Sequence, residues 1–240
     1  MPAIRLVVGL GNPGKEYERT RHNAGFWLVE RFAASKGVAL RKDPKYQALV
    51  GRLPDNGAWL LLPQSFMNAS GRAVQMLAGF FKIKPEEILV VHDELDFAPG
   101  TARIKQGGGI AGHNGLKDIS QRIGSHDYWR LRLGVGRPQS AAEMADYVLH
   151  KPSLEEKQAI DAAIDNSLAL LPQMITGDLP GAMQKLHSQD KPVPAPKKEP
   201  EKKAPPVKEP AKPQPKKEAE KPKEAPKEEK GFLKSLFGKK

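Results

Sequence analysis

IRLVVGLGNPGKEYERTRHNAG, residues Ile4 to Gly25, decides how the rest of the chain is read. Ile4 to Leu10 is a short apolar, β-branched run of the kind that forms a buried strand. Gly9, Gly11 and Gly14 allow a tight turn after it, and Pro13 fixes one backbone angle while disfavouring helix at Asn12. Asn12 is thereby held at the carboxyl end of a strand, where open α/β sheets bind their ligands. A polar connection leads to Thr20-Arg21-His22-Asn23-Ala24-Gly25 and then to the periodic pattern FWLVERFAA of a helix. Asn23 has the residue type of a helix cap, which puts His22 at the helix entrance, beside the strand end that carries Asn12. A carboxamide and an imidazole converging on one crevice are candidates for catalysis.

The same stretch invites a different reading. Gly9-Leu10-Gly11-Asn12-Pro13-Gly14 matches G-x-G-x-x-G after a strand, the dinucleotide-binding pattern. That fingerprint needs a helix starting within the glycines, so that its N-terminus meets a pyrophosphate. Lys15-Glu16-Tyr17-Glu18-Arg19 carries no apolar stripe. The acid expected about 20 residues on would be Glu30, inside a helical pattern rather than at the end of a second strand. The expectation is therefore no nucleotide cofactor, and no cofactor of any kind.

Outward from this stretch the pattern alternates. Phe26 to Lys36 is amphipathic and stops at Gly37. Tyr46 to Leu53 and Ala58 to Leu62 read as strands joined by Pro54-Asp55-Asn56-Gly57. The loop from Pro63 to Gly71 leads into a helix from about Arg72 to Phe81. Ile88 to His92 is a short buried strand that delivers Asp93-Glu94-Leu95-Asp96 at its end. A strand from Thr101 to Lys105, a glycine-rich loop to Gly115, a helix from Leu116 to Ile123 and a strand from Trp129 to Val135 follow. Ser153-Leu154-Glu155-Glu156 has the form of a capping box opening a long helix to about Ile175, and Asp178 to Leu186 closes with a short one. Strands alternate with helices but include hairpins, so the fold class expected is α/β: one domain, a mixed twisted sheet, helices on both faces.

Composition sets the limits of that domain. The 240 residues carry a formal charge of +11, but residues 190–240 hold 11 of the 22 prolines and 16 of the 39 basic side chains. Residues 1–189 have 23 Lys and Arg against 19 Asp and Glu, a net of +4. The overall basicity is thus no direct signal of nucleic acid, although a mildly basic core permits an RNA partner. The expected division is a folded domain over 1–189 and a Lys/Pro/Glu/Ala-rich disordered tail over 190–240. With no cysteine there are no disulfides or thiolate metal sites. No apolar run approaches the roughly 20 residues that span a bilayer, and no export signal is read at the N-terminus, so the cytoplasm is the expected compartment.

Five separate stretches, GLGNPGKEYERTRHNAG, PQSFMNASG, HDELD, GGGIAGHNGLKDI and WRLRLGVGRP, in this order and spacing, resemble bacterial peptidyl-tRNA hydrolases. The resemblance runs from Ile4 to about His187. It implies a monomeric single-domain α/β enzyme that cleaves the ester between a peptide and the terminal ribose of tRNA, freeing the tRNA for translation. Histidine is the natural base near neutral pH, and a positioned base contributes roughly 10²–10⁴-fold. By the resemblance, His22 is that base and Asp93 the carboxylate that orients it. There is no G-x-S-x-G elbow and no cysteine, which favours direct attack by water over an acyl-enzyme.

The resemblance also implies a substrate-binding set of Asn12, Tyr17, Met67, Asn68, His113 and Asn114. Carboxamides donate and accept without charge, which suits a peptide backbone. Asn12 and Asn114 would contact the terminal amino-acid unit, with Asn114 also helping to hold the water; Asn68 would sit near the scissile ester. His113 would line the peptide channel rather than act as the base. Lys105 and Arg132 would clamp the 5′ phosphate of the tRNA, while Gln139 to Glu143 lacks the lysines that some relatives carry there. The six histidines show no metal-binding spacing, so no metal is expected. A non-catalytic RNA-binding relative of splicing type is the competing function, distinguished by whether His22, Asp93 and the three asparagines are intact; all five are. Beyond the resemblance, the end of the tail places Phe232, Leu233, Leu236 and Phe237 on one helical face among lysines, a candidate tether to an anionic membrane, ribosomal RNA or a protein groove.

Overall fold

A computed structural model describes residues 1–188. The tail and its terminal apolar segment lie outside the described residues.

Seven strands form one sheet: β1 (Leu6–Gly9), β2 (Arg41–Asp43), β3 (Ala48–Arg52), β4 (Trp59–Pro63), β5 (Ile88–Glu94), β6 (Ala102–Gln106) and β7 (Trp129–Gly134). Their order is β2-β3-β4-β1-β5-β7-β6. The four central strands, β4, β1, β5 and β7, run parallel. Antiparallel partners close both flanks, β3 and β2 on one side and β6 on the other. This is the mixed sheet that the hairpins predict.

Among the described residues six helices cover it: α1 (Ala24–Ser35), α2 (Ser70–Phe80), α3 (Asn114–Ile123), α4 (Met144–Val148), α5 (Leu154–Ile175) and α6 (Leu179–Ser188). The central strands are apolar on both sides because both sides are buried. On β1, Val7 faces one core while Leu6 and Val8 face the other; on β5, Leu89 and Val91 oppose Ile88 and Val90. The first core is filled from α1, α5 and α6 by Leu28, Phe32, Ile164 and Leu186, and the second from α2 and α3 by Val74, Leu77, Leu116 and Ile119. Each large side chain buried in this way contributes roughly 1.5–3 kcal/mol.

Local chemistry sets the helix ends. The Ser153 hydroxyl accepts from Glu156 N–H at 3.2 Å and the Glu156 carboxylate accepts from Ser153 N–H at 2.7 Å, the capping box expected for α5. Gly37, with φ of +65°, ends α1. Gly25 makes the closest helix–sheet approach. A Cβ there would lie 2.5 Å from the backbone nitrogen of Leu10 and closer still to the carbonyl of Val91.

Three differences from the sequence reading have physical causes. β2, Arg41-Lys42-Asp43, is a polar edge strand without alternation, and α4 is barely more than one turn. Helix α3 begins at Asn114, two residues before the apolar stripe, because His113 caps it: its Nδ1 accepts from Leu116 N–H at 3.4 Å.

Candidate active site

Because β4, β1 and β5 are parallel, their carboxyl ends open on one edge of the sheet. The loops there carry Asn12 after β1 and Met67 and Asn68 after β4, while Asp93 belongs to the last turn of pleat in β5 itself. A single turn of 3₁₀ helix, Arg21–Asn23, leads into α1 and holds His22 above the same edge.

Asp93 is the centre of the arrangement. Its side chain is 2 % exposed and receives two imidazoles. His22 Nδ1 lies 2.9 Å from Oδ1 and 3.0 Å from Oδ2, and His113 Nε2 lies 3.1 Å from Oδ1. Burial alone would raise the pKa of this carboxyl, but the two imidazoles more than offset it and hold Asp93 well below the carboxylate range. An ionised carboxylate accepts only, so His22 Nδ1 and His113 Nε2 carry the hydrogens. His22 is left with Nε2 as an open acceptor. Burial pulls the His22 pKa down, the charge and hydrogen bond of Asp93 push it up, and the net direction is upward from 6.5.

His92 stands behind this pair, fully buried. Its Nδ1 donates to the backbone carbonyl of Asp93 at 2.7 Å, its Nε2 has no partner, and desolvation keeps it neutral, well below 6.5. His22, His92, Asp93, His113 and Asn114 line a crevice of about 310 Å³ that α4 roofs with Met144 and Val148. His22, Asp93 and His113 are also the described residues whose metal-ligating atoms cluster, all within 4.8 Å. Two N–H···O bonds to one carboxylate account for that spacing.

Asn12 is fixed by its neighbours. Its Oδ1 accepts the backbone N–H of Met67 at 2.8 Å, which ties the loop after β1 to the loop after β4. Asn23 does not cap α1 with its side chain, contrary to the sequence reading. Its Oδ1 accepts from Asn12 N–H at 2.8 Å and its Nδ2 donates to Asn12 C=O at 2.9 Å, a two-bond clamp on the backbone of Asn12. The carboxamide finds a better-shaped partner across the crevice than the helix offers. Asn12 and Asn23 line a neighbouring depression of about 410 Å³ rather than the crevice of His22.

A sequence model described as peptidyl-tRNA hydrolase matches residues 6–194. The chain is 53 % identical over 188 residues to the peptidyl-tRNA hydrolase of Leptothrix cholodnii, covering 78 % of this chain and 88 % of that one. It is 53 % identical over 192 residues to that of Methylobacillus flagellatus, covering 80 % and 100 %. The crystal structure of peptidyl-tRNA hydrolase from Acinetobacter baumannii superposes with a TM-score of 0.74 at 46 % identity, covering 76 % of this chain and 94 % of that one. The chain belongs to the peptidyl-tRNA hydrolase family.

Of the remaining expected residues of this hydrolase, Asn114 lines the crevice, while Tyr17, Met67, Asn68, Lys105 and Arg132 lie outside its lining. Met67 is buried, its sulfur filling the space where a side chain on Gly115 would begin. Asn68 and Asn114 are exposed, at a 3₁₀ turn and at the first position of α3. Tyr17 is half-buried and meets Phe66 edge to face at 6.1 Å. Phe66 is 60 % exposed, an aromatic face beside Asn68 that the sequence reading did not single out. Lys105 is exposed on β6 and stands apart from the crevice. Arg132 is partly committed: its Nε donates to Glu94 at 2.8 Å and its guanidinium lies over the ring of Phe97.

Arg21 was also missed. It is buried next to His22, donates to the carbonyls of Tyr147, His150 and Lys151 at the end of α4, stacks on the Tyr147 ring at 4.0 Å and pairs with Glu156 at 2.7 Å. It rivets the turn that carries His22 to the roof of the crevice. No local signal marks it, because every partner lies at least 126 positions away.

Proposed function

We propose that the chain hydrolyses the ester joining a peptide to the terminal ribose of tRNA, with His22 as general base and Asp93 as the group that orients it. The observation that carries this reading is the His22–Asp93 pair, with Nδ1–H donated to a buried carboxylate and Nε2 left open toward the crevice.

His22 Nε2 takes a proton from a water as the water oxygen attacks the ester carbonyl carbon. Asp93 favours the imidazolium that forms. When the tetrahedral intermediate collapses, the bond from carbonyl carbon to ribose oxygen breaks and His22 returns its proton to that oxygen, leaving a free peptide acid and a free tRNA. Asn114 helps to hold the attacking water, Asn68 contacts the substrate near the scissile ester, and donors in the Asn68 loop stabilise the developing oxyanion; one such donor contributes roughly 10²–10³ in rate. Asn12, Tyr17, Met67 and His113 shape the path of the peptide, and Lys105 and Arg132 face the phosphate end of the tRNA. The enzyme acts as a monomer in the cytoplasm, where translation generates this substrate; among the described residues no helix is long and apolar enough to cross a membrane. The tail, by this reading, tethers the enzyme without taking part in the chemistry.

The test is hydrolysis of an N-blocked aminoacyl-tRNA by the wild type and by His22→Ala. Cleavage by the first and its loss in the second support the reading. A wild type that binds the tRNA without cleaving it would make the chain an RNA-binding relative instead.

A further inference from the structure

Among the described residues, Asn68 and Asn114 are exposed and neither carboxamide has a hydrogen-bond partner. Their separation is therefore set by the backbones that carry them. Asn68 stands in the 3₁₀ turn Met67–Ala69, which runs straight into α2, and Asn114 is the first residue of α3. Ser70 Oγ donates to the Met67 carbonyl at 2.9 Å, which fixes the turn to the start of α2. The turn also lies against α3. How α2 docks on α3 thus decides how far apart the two amides stand.

The docking is close, and one charge-assisted bond crosses it. A Cβ on Gly71 would strike the carbonyl of Asp118 and lie 2.7 Å from the backbone nitrogen of Ile119, so the first turn of α2 meets α3 backbone to backbone. Helix α2 has no cap of its own: Ala69 precedes it, and its first turn contains no acid. The cap comes from α3 instead. Asp118 Oδ2 accepts Gly71 N–H at 2.7 Å, a carboxylate on an orphan donor at the positive end of the helix. Such bonds are stronger than neutral ones. The Asp118 side chain is 14 % exposed, and Arg122, one turn on, keeps it aimed by donating from Nε to Oδ1 at 2.9 Å and to Oδ2 at 3.1 Å. That pair alone would be an ordinary helix-surface contact of little consequence. The bond across to Gly71 is what sets Asp118 apart.

The same helix begins at the catalytic pair. His113 caps α3 through Nδ1 and gives its Nε2–H to Asp93. Asn114 follows it, and Asp118 lies one turn beyond on the same side of the helix. A continuous run of contacts leads from the Asp93 carboxylate along the first turn of α3, across Asp118 to Gly71, and back to Asn68.

We propose that Asp118 is a positioning residue for the hydrolysis: by capping α2 from α3 it sets the spacing of Asn68 and Asn114 across the scissile ester. The inference rests on the hydrolase reading above. Asp118 touches no substrate and moves no proton; it acts through the two helices. Without its bond the Asn68 turn shifts along α3, and a displacement of about 1 Å costs up to about 10²-fold in rate.

The experiment compares full-length wild type, Asp118→Asn, Asp118→Ala and Asp118→Glu in hydrolysis of an N-blocked aminoacyl-tRNA, with hydrogen exchange of the Gly71 amide followed by NMR. Asp118→Asn keeps an oxygen for Gly71 N–H, Asp118→Ala offers none, and Asp118→Glu offers one a methylene farther out. In Asp118→Ala kcat falls roughly 10- to 100-fold, KM changes little, and the acidic limb of the pH profile stays put because His22 and Asp93 keep their contact. Asp118→Asn recovers most of kcat and the slow exchange of Gly71. Should Asp118→Ala fail to fold, Asp118→Glu carries the test, with kcat below that of Asp118→Asn. An Asp118→Ala that loses stability yet turns over like the wild type makes the residue structural only and overturns the proposal. So does an Asp118→Asn as slow as Asp118→Ala, and so does a displaced acidic limb, which would put the effect at His22. A wild type that cleaves no ester refutes the hydrolase reading; Gly71 exchange that is slow in wild type and Asp118→Asn but fast in Asp118→Ala still leaves the coupling of the helices standing. Unaltered exchange in Asp118→Ala overturns the coupling itself.

Discussion

His22 Nδ1 reaches both oxygens of Asp93, at 2.9 and 3.0 Å, while His113 shares only one of them. The two-point contact fixes the plane of the ring as well as its tautomer, and Nε2 is the nitrogen that remains. Asp93→Asn removes the charge and puts an NH₂ donor in place of one of the two acceptor oxygens, which admits the wrong tautomer, so kcat should fall by roughly 10²–10⁴ while binding of the tRNA stem is retained. Single-turnover hydrolysis with enzyme in excess separates the two; an unchanged chemical step would end the assignment of Asp93.

Rate should also depend on pH through the same contact. His22 must be neutral to accept a proton, and its pKa is displaced upward from 6.5 by Asp93. In the wild type the acidic limb of kcat/KM should therefore lie above pH 6.5. The residual activity of Asp93→Asn should have its limb shifted to lower pH, because burial, which lowers the pKa, then acts without the opposing charge. A limb that moves upward contradicts this electrostatic account.

Stability has its own pH signature, set by His92. Above pH 6.5 the ring is neutral folded and unfolded, and contributes nothing to the slope. Below 6.5 the unfolded chain takes up a proton that the buried ring refuses, so this group costs stability as pH falls, by up to about 1.4 kcal/mol per pH unit. His22 works in the other direction: its contribution is complete below 6.5 and lost as pH rises through its raised folded value. Asp93 contributes above 3.8 and loses its contribution as pH falls through its depressed value. Urea titrations from about pH 5 to 7 should show a shallower acid slope in His92→Asn, which keeps a donor for the Asp93 carbonyl but has nothing to titrate.

Arg21 offers a test of positioning. Replacement by Met removes charge-assisted bonds to Glu156 and to three carbonyls of the roof, and should cost about 2–3 kcal/mol, discounted for the partial exposure of Glu156. Arg21→Lys keeps the charge but cannot serve three carbonyls and a carboxylate in one plane. If Arg21 positions His22 through the roof, kcat falls in Arg21→Lys while KM and the pH limb stay close to the wild type. A loss of stability with unaltered kcat would make it structural only.

Much of the fold was legible because its central strands are apolar on both faces. Leu6 to Gly9 and Ile88 to Val91 have no solvent side to blur the pattern, and the Ser153–Glu156 box announces α5 in four residues. What escaped is whatever depends on distance. Arg41-Lys42-Asp43 becomes a strand only because β3 offers it a ladder. Asn23 looks like a cap by type and position, and becomes a clamp only when Asn12 arrives beside it. The alternation in Arg130-Leu-Arg-Leu does put both arginines on one face, but that Glu94 would satisfy only Arg132 is invisible in one dimension.

The bond from Met67 N–H to Asn12 Oδ1 reaches further than the joining of two loops. A backbone amide can only give a hydrogen, so the carboxamide of Asn12 is locked with its oxygen turned inward and its NH₂ turned outward. If Asn12 meets the substrate as proposed, that NH₂ would donate to the carbonyl of a neutral acylated amine and repel a free ammonium. A single hydrogen bond made for the sake of architecture would thus let the enzyme spare the charged aminoacyl-tRNA that the ribosome is about to use.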